Sequence, residues 1–171
     1  MTHINIEIKA ITNNLDGIRE KLNINNAEFK GADHQTDTYF NVRNGRLKFR
    51  GGNIENYLIY YDREDKMGPK QSGVTLYKYS SKSNLKDILT RSLGILVVVE
   101  KQREIYFIEN VKFHLDTVAG LGTLVEIEAT DHNGSFTKDT LLRQCNQYLD
   151  LFGIHQEDLI PDSYSDLLLL K

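Results

Sequence analysis

Lysines, arginines and glutamates recur at i, i+2 spacing through this chain, in segments that are otherwise strand-like. Glu7 with Lys9; Arg46, Lys48 and Arg50; Arg63; Lys101 with Arg103; Lys112 with His114 and Asp116; and Glu126 with Glu128 each place their charges on one face, because alternate residues of a strand point the same way. Two arrangements produce this pattern. The charged faces can be the solvated exterior of an ordinary antiparallel sheet, apolar inside and polar outside. Alternatively, the sheet closes on itself, the charged faces line its interior and the apolar faces lie beneath helices. An interior lined in this way calls for a compensating ligand, since desolvated like charges destabilise a fold. The chemistry that matches is a polyanion with its metal. Lysine and arginine suit the oxygens of a triphosphate. Glu7, Glu126 and Glu128 offer hard oxygen ligands to Mg²⁺, which takes one or two carboxylates and completes its octahedron with water and phosphate.

The elements that must position these residues are legible from periodicity. His3 to Lys9 alternates strictly, with Ile4, Ile6 and Ile8 on one face, the signature of a half-buried strand. A short amphipathic helix follows, with Leu15, Ile18 and Leu22 on one stripe. Ala27 to Asn41 returns to strand, and a turn at Asn44-Gly45 leads into Arg46 to Arg50 as a hairpin. Tyr57 to Arg63 and Val74 to Ser80 are further strands separated by the loop Glu64 to Lys70. Ser83 is placed to cap a helix bearing Leu85, Ile88, Leu89 and Leu93, with Gly94 as its stop. Three more strands span Ile95 to Phe107, Val111 to Thr117 and Thr123 to Thr130. Lys138 to Phe152 reads as the longest helix, burying Leu141, Leu142, Cys145, Tyr148, Leu149 and Phe152, and the tail from Pro161 to Leu170 closes with a short helix. Seven or eight antiparallel strands with three or four helices and no βαβ repeat indicate an α+β fold on a curved sheet or barrel.

The 171 residues suit a single domain spanning 1–171. A net charge of −3 argues against a general nucleic-acid coat. The lone Cys145 excludes an intramolecular disulfide and, lying on an apolar helix stripe, reads as a small buried hydrophobe. No apolar run approaches the roughly 20 residues of a membrane helix, and Met1-Thr2-His3-Ile4 does not open a signal peptide. The expected compartment is the cytoplasm, with no nucleic-acid or membrane partner and a homodimer left open. Nucleotide-binding and nucleophile-elbow motifs, G-x-x-x-x-G-K-[ST], G-x-G-x-x-G and G-x-S-x-G, are absent. The histidines show no i, i+4 pair for zinc. Gly120-Leu121-Gly122 reads as a turn, and Tyr39, Tyr57, Tyr60 and Tyr61 as core aromatics or stacking surfaces for a base.

Four stretches, taken in order, resemble the CYTH superfamily, which includes class IV adenylyl cyclases and thiamine triphosphatases, and within it the cyclase-like branch. They are Asn5-Ile6-Glu7-Ile8-Lys9; Asp37-Thr38-Tyr39-Phe40 with Gly45-Arg46-Leu47-Lys48-Phe49-Arg50; Glu100-Lys101-Gln102-Arg103 with Ile105-Tyr106-Phe107; and His114-Leu115-Asp116 through Gly120-Leu121-Gly122 to Glu126-Ile127-Glu128. The closing Ser163-Tyr164-Ser165-Asp166-Leu167-Leu168 is similar to the family's C-terminal signature. The resemblance implies an eight-stranded antiparallel β-barrel, a triphosphate tunnel, with flanking helices. It implies Mg²⁺ or Mn²⁺ held by Glu7, Glu126 and Glu128. Phosphate binding carries over to Lys9, Arg50, Lys101 and Arg103, and to Lys48, Arg63 and Lys112 if strand register turns them inward. The family's E-x-E-x-K motif maps onto Asn5, Glu7 and Lys9, so its first glutamate is replaced by an amide that brings no charge.

The activity implied is that of a class IV adenylyl cyclase. The ribose 3′-hydroxyl of ATP attacks the α-phosphorus and expels pyrophosphate, with Lys101 and Arg103 steadying the leaving group. Asp116 either polarises the nucleophile, orients a basic neighbour, or pairs with Lys112 as an ordinary strand carboxylate. Two alternatives share the same residues: an inorganic or thiamine triphosphatase, and a module that binds nucleotide or polyphosphate without turnover.

Overall fold

Strand alternation decides the architecture once the partners of each strand are known. The computed structural model describes residues 2–63 and 69–171, the side chains of 2–4, 63 and 70–72 excepted. The Arg63 side chain and most of the loop expected over Glu64 to Lys70 lie outside the described residues. Eight strands, β1 (Thr2–Ile11), β2 (Glu28–Phe40), β3 (Arg46–Gly51), β4 (Tyr57–Arg63), β5 (Lys70–Lys78), β6 (Ile95–Ile108), β7 (Val111–Val118) and β8 (Gly122–Asp131), pair antiparallel in the closed order β1-β5-β4-β3-β2-β6-β7-β8. β1 closes the cylinder by pairing with β5 on one side and β8 on the other. The register puts Glu7 opposite Glu128, Lys9 opposite Glu126, Asp37 opposite Arg50 and Arg103 opposite Asp116.

Closure turns one set of alternate residues inward and the other outward. Outward-facing Ile6, Ile8 and Ala10 of β1, Val111, Phe113 and Leu115 of β7, and Val125, Ile127 and Ala129 of β8 form the larger apolar core. It is covered by α1 (Leu15–Ile24) and α3 (Lys138–Phe152). Both helices begin at a capping side chain. The Asn14 side chain accepts the Gly17 N–H and Thr137 accepts the Thr140 N–H, satisfying donors that a helix start leaves unpaired. Gly153 ends α3 in the left-handed region at φ 69°, where a side chain is disfavoured. Cys145 is buried in this core as a free thiol whose Sγ lies 3.4 Å from the Ile6 carbonyl oxygen.

A second apolar cluster lies inside and at one end of the barrel. Val99, Val118 and Leu124 meet Ile160 and Tyr164 of the C-terminal segment. α4 (Tyr164–Leu169) is held there by a capping box between Ser163 and Asp166 and by the Arg46–Asp166 ion pair at 2.6 Å. The Ile160 N–H bonds the Lys9 carbonyl at 2.9 Å. The tail therefore plugs the barrel.

Two local expectations are refined. β5 begins at Lys70, before the expected Val74, because β1 and β4 supply partners for its earlier residues. α2 (Leu85–Leu93) forms as read and stops at Gly94, but its cap residue is Asn84, with Ser83 accepting the Leu85 N–H at 3.1 Å. None of its residues is buried, so its apolar stripe adds little to the core.

Truncating Phe113, fully buried beneath α3, to alanine is expected to cost about 3–5 kcal/mol in urea unfolding. Ile88→Ala on exposed α2 should change stability by less than about 0.5 kcal/mol.

Candidate functional site

Inward residues of all eight strands converge on one cavity. Its wall carries Asn5, Glu7 and Lys9 from β1, Asp37 and Tyr39 from β2, Lys48 and Arg50 from β3, and Lys101 and Arg103 from β6. Lys112 and His114 of β7 and Glu126 and Glu128 of β8 complete the charged side, with Glu55 entering from the β3–β4 loop. Tyr57, Ile59 and Tyr61 of β4 with Val74 and Leu76 of β5 make the remaining wall apolar and aromatic. Lys9 is 6% exposed, Arg50 7%, Lys101 3% and Arg103 2%. The charged faces are thus interior. Lys48 and Lys112 turn inward as well.

Two acidic hubs hold these cations apart. Asp37 accepts both Nε and Nη2 of Arg50 at 2.8 and 2.9 Å and the Lys101 ammonium at 2.8 Å. The Lys48 ammonium stands 3.2 Å away and lies 5.4 and 5.5 Å from the centroids of the Tyr39 and Tyr61 rings. Burial raises the proton affinity of Asp37, but Arg50, Lys101 and Lys48 override it and hold the carboxyl well below its ordinary range. Burial pulls the Lys101 ammonium down to about 7; Asp37 resists this, and Arg50, Arg103 and Lys48 reinforce it.

The second hub joins Asp116 and Glu126. Arg103 binds Asp116 in a bidentate pair at 2.7 and 2.5 Å and reaches Glu126 at 3.1 Å. Tyr164 donates to Asp116 at 2.7 Å. Lys9 is 3.2 Å from Glu126 and lies over the Tyr164 ring at 4.5 Å. His114 Nδ1 and Glu126 Oε2 are 2.9 Å apart, and His114 Nε2 is buried without a partner. Asp116 is fully buried behind Arg103 and does not line the cavity. Its basic partner is Arg103, and Lys112, the strand partner expected for it, pairs instead with Glu55.

At the third group, Glu7 and Glu128 face each other across the β1–β8 pair, where like charges repel unless a cation intervenes. Asn5 donates its amide to Glu128 at 2.6 Å, which leaves Asn5 Oδ1 buried without a hydrogen-bond partner. Among the described residues no cluster of three or more Asp, Glu, His or Cys side chains is arranged to hold a metal ion. Two carboxylates and an orphaned amide oxygen on one cavity wall nevertheless fit a hard cation that takes its other ligands from phosphate and water.

Asp37 and Glu55 are the residues that the pattern did not single out. Asp33, Gln35, Asp37 and Tyr39 share one phase of β2, so the signal for Asp37 was present. Glu55 sits in a loop, where no period exists to read.

Comparison with known proteins places this geometry in context. The CYTH domain family model matches residues 3–164. A Methanocaldococcus jannaschii protein, provisionally named adenylate cyclase MJ0240, is 26% identical over 96% of this chain and 98% of its own length. The PH1012 protein of Pyrococcus horikoshii OT3 superposes with a TM-score of 0.81 at 25% identity, covering 95% of this chain and 98% of that one. A Hippeastrum protein, provisionally an adenylyl cyclase and described as having a dominant triphosphatase activity, shares the fold with a TM-score of 0.60 at 12% identity, over 98% and 94% of the two chains. No helix among the described residues is long and apolar enough to cross a membrane.

Asp37→Asn leaves Arg50, Lys101 and Lys48 facing one another and should cost about 3–5 kcal/mol, read as a fall in melting temperature. Asp37 and Glu126 titrate below their unfolded values of 3.8 and 4.5. Their stabilisation is therefore complete above about pH 4.5 and lost as pH falls through the folded values. Thermal melts from pH 7 to pH 2 should show a steep acid limb, shallower in Asp37→Asn.

Proposed function

The chain belongs to the CYTH domain family, and from that premise we propose that it is a metal-dependent enzyme acting on a triphosphate inside its barrel, with ATP cyclisation to cyclic AMP and pyrophosphate as its reaction. The observation that carries this reading is the convergence of Lys9, Lys48, Arg50, Lys101, Arg103 and Lys112 on a single cavity plugged at one end. Such a density of cations matches a ligand with several negative charges in a row. The apolar wall of Tyr57, Ile59, Tyr61, Val74 and Leu76 supports a ligand with an organic end, and so a nucleoside triphosphate over inorganic polyphosphate. The name of the M. jannaschii relative points the same way.

Phosphoryl transfer asks mainly for positioning and charge neutralisation, and each residue has a place in that task. Lys48, Lys101 and Arg50 form one bank of donors and Arg103 with Lys9 another. Asp116 and Tyr164 fix the Arg103 guanidinium so that its plane does not rotate when phosphate oxygens arrive. In cyclisation the ribose 3′-hydroxyl loses its proton to water as its oxygen bonds to the α-phosphorus and the bond from that phosphorus to the bridging oxygen of the β-phosphate breaks. Lys101 and Arg103 take up the charge that grows on the departing pyrophosphate. Glu7, Glu128 and the Asn5 carbonyl would hold the divalent ion, which supplies further neutralisation of phosphate charge. Glu126, engaged by Lys9, Arg103 and His114, serves primarily to hold those cations in place.

Product analysis with Mg²⁺ or Mn²⁺ tests the reading. Cyclic AMP and pyrophosphate from ATP are expected. Orthophosphate from ATP, thiamine triphosphate or tripolyphosphate makes the protein a phosphohydrolase, and tight binding with no product makes it a binding module. If no triphosphate binds, the reading fails. Glu128→Gln should raise the Mg²⁺ concentration for half-maximal turnover at least about tenfold, with the thermal melt unchanged.

A further inference from the structure

Among the described residues, Glu55 is the one carboxylate lining the cavity that no strand delivers. It lies between β3 and β4, yet its side chain reaches inward, 2.9 Å from Arg50 Nη1 and 3.1 Å from Gln35 Nε2, and pairs with the Lys112 ammonium. We propose that Glu55 is a resident counter-anion of the tunnel, occupying the Arg50–Lys112 position that a phosphoryl group takes on binding, and that it thereby determines how much negative charge a ligand must bring. This rests on the triphosphate reading of the site.

The placement of Glu55 is built. Buried Asp33 accepts the backbone N–H groups of Asn53, Ile54 and Glu55 at 2.5, 2.9 and 3.0 Å, and its other contact, with Gln35 Nε2 at 2.8 Å, ties the loop to the barrel wall. Asn56 donates to the Gly52 carbonyl at 3.0 Å, and Tyr79 donates to the Arg50 carbonyl at 2.7 Å. A loop fastened from both sides delivers one carboxylate to one place. A charged side chain that is 13% exposed and held by two cations is strongly engaged, and Arg50 and Lys112 keep its carboxyl far below the ordinary range.

Exchange of this carboxylate leaves the cations in position. Arg50 spends Nε and Nη2 on Asp37 and only Nη1 on Glu55. When Glu55 withdraws, the guanidinium stays fixed on Asp37 and Nη1 is released for a new acceptor. The enclosed part of the cavity is about 140 Å³, below the roughly 300–1,000 Å³ of small-molecule clefts, so a ligand of nucleotide size extends beyond it or displaces a resident side chain. A terminal phosphoryl group carries more charge than a carboxylate and has three acceptor oxygens. In a polyphosphate it is also tethered to neighbours bound by Lys48, Lys101 and Arg103, which raises its effective concentration. A singly attached monoanion has neither advantage over Glu55.

The test is calorimetric titration of inorganic tripolyphosphate in metal-free buffer. Glu55→Gln should lower the Kd at least about tenfold relative to the wild type. Glu55→Asp keeps the charge but is one methylene shorter, loosens the grip on Arg50 and Lys112, and should fall between the two. Glu55→Gln that melts like the wild type yet binds no tighter overturns the proposal while leaving the triphosphate site standing. Glu55→Asp at wild-type affinity also overturns it, because that result makes the gain a general field effect. If Glu55→Gln does not fold, Glu55→Asp decides alone on the same criterion. No binding by either the wild type or a folded variant overturns the triphosphate reading and the role of Glu55 with it.

Discussion

Asp37 stands within reach of Arg50, Lys101 and Lys48 in an interior where an uncompensated charge costs several kcal/mol. Glu126 does the same for Lys9 and Arg103, with Asp116 behind it. A closed sheet can carry this many cations on its inner face only if carboxylates are interleaved among them, and the register supplies that interleaving. Asp37 is opposite Arg50, Arg103 opposite Asp116 and Lys9 opposite Glu126. A slip of one residue in any of these pairings would send one partner outside and leave the other buried alone. The charge network therefore specifies strand register as well as the site.

Because much of the interior is given over to charge, most apolar burial is found elsewhere. The outer faces of β1, β7 and β8 provide it beneath α1 and α3, and the C-terminal segment provides a smaller share by entering one end of the barrel. This division explains why Tyr164 both packs against apolar neighbours and donates to Asp116. It sits where the dry plug meets the charged chamber. An aromatic side chain with a polar tip suits that boundary. Charge pairing and most of the hydrophobic burial thus act on opposite faces of the same strands.

The chamber itself is divided. Three acidic groups, around Asp37, around Glu126 with Asp116, and at Glu7 with Glu128, set different local environments for cations, and the β4–β5 wall carries none of them among the described residues. Asn5 fits this picture. Its amide satisfies Glu128 and its carbonyl oxygen stays without a hydrogen-bond partner. A glutamate there would add a third carboxylate beside Glu7 and Glu128, deepening the repulsion that a cation has to offset.

Much of this protein was legible in its sequence, because alternation of apolar and charged residues in strands of five or more fixes which side chains share a face. Lys9, Lys48, Arg50, Lys101, Arg103 and Lys112 could be grouped in this way, and the helices α1 and α3 followed from their apolar stripes. Periodicity is blind, however, to which face is inside. That was decided by β1 pairing with both β5 and β8, the second a contact between residues more than a hundred positions apart. Partner choice was likewise tertiary: Asp116 meets Arg103 and not Lys112, since cross-strand register selects it. Glu55 lay beyond any pattern, because a loop has no repeat and its reach into the chamber depends on three backbone bonds to Asp33, twenty residues and a strand away. Local chemistry thus determined the elements and the composition of each face, and only closure of the sheet determined that these charges would meet.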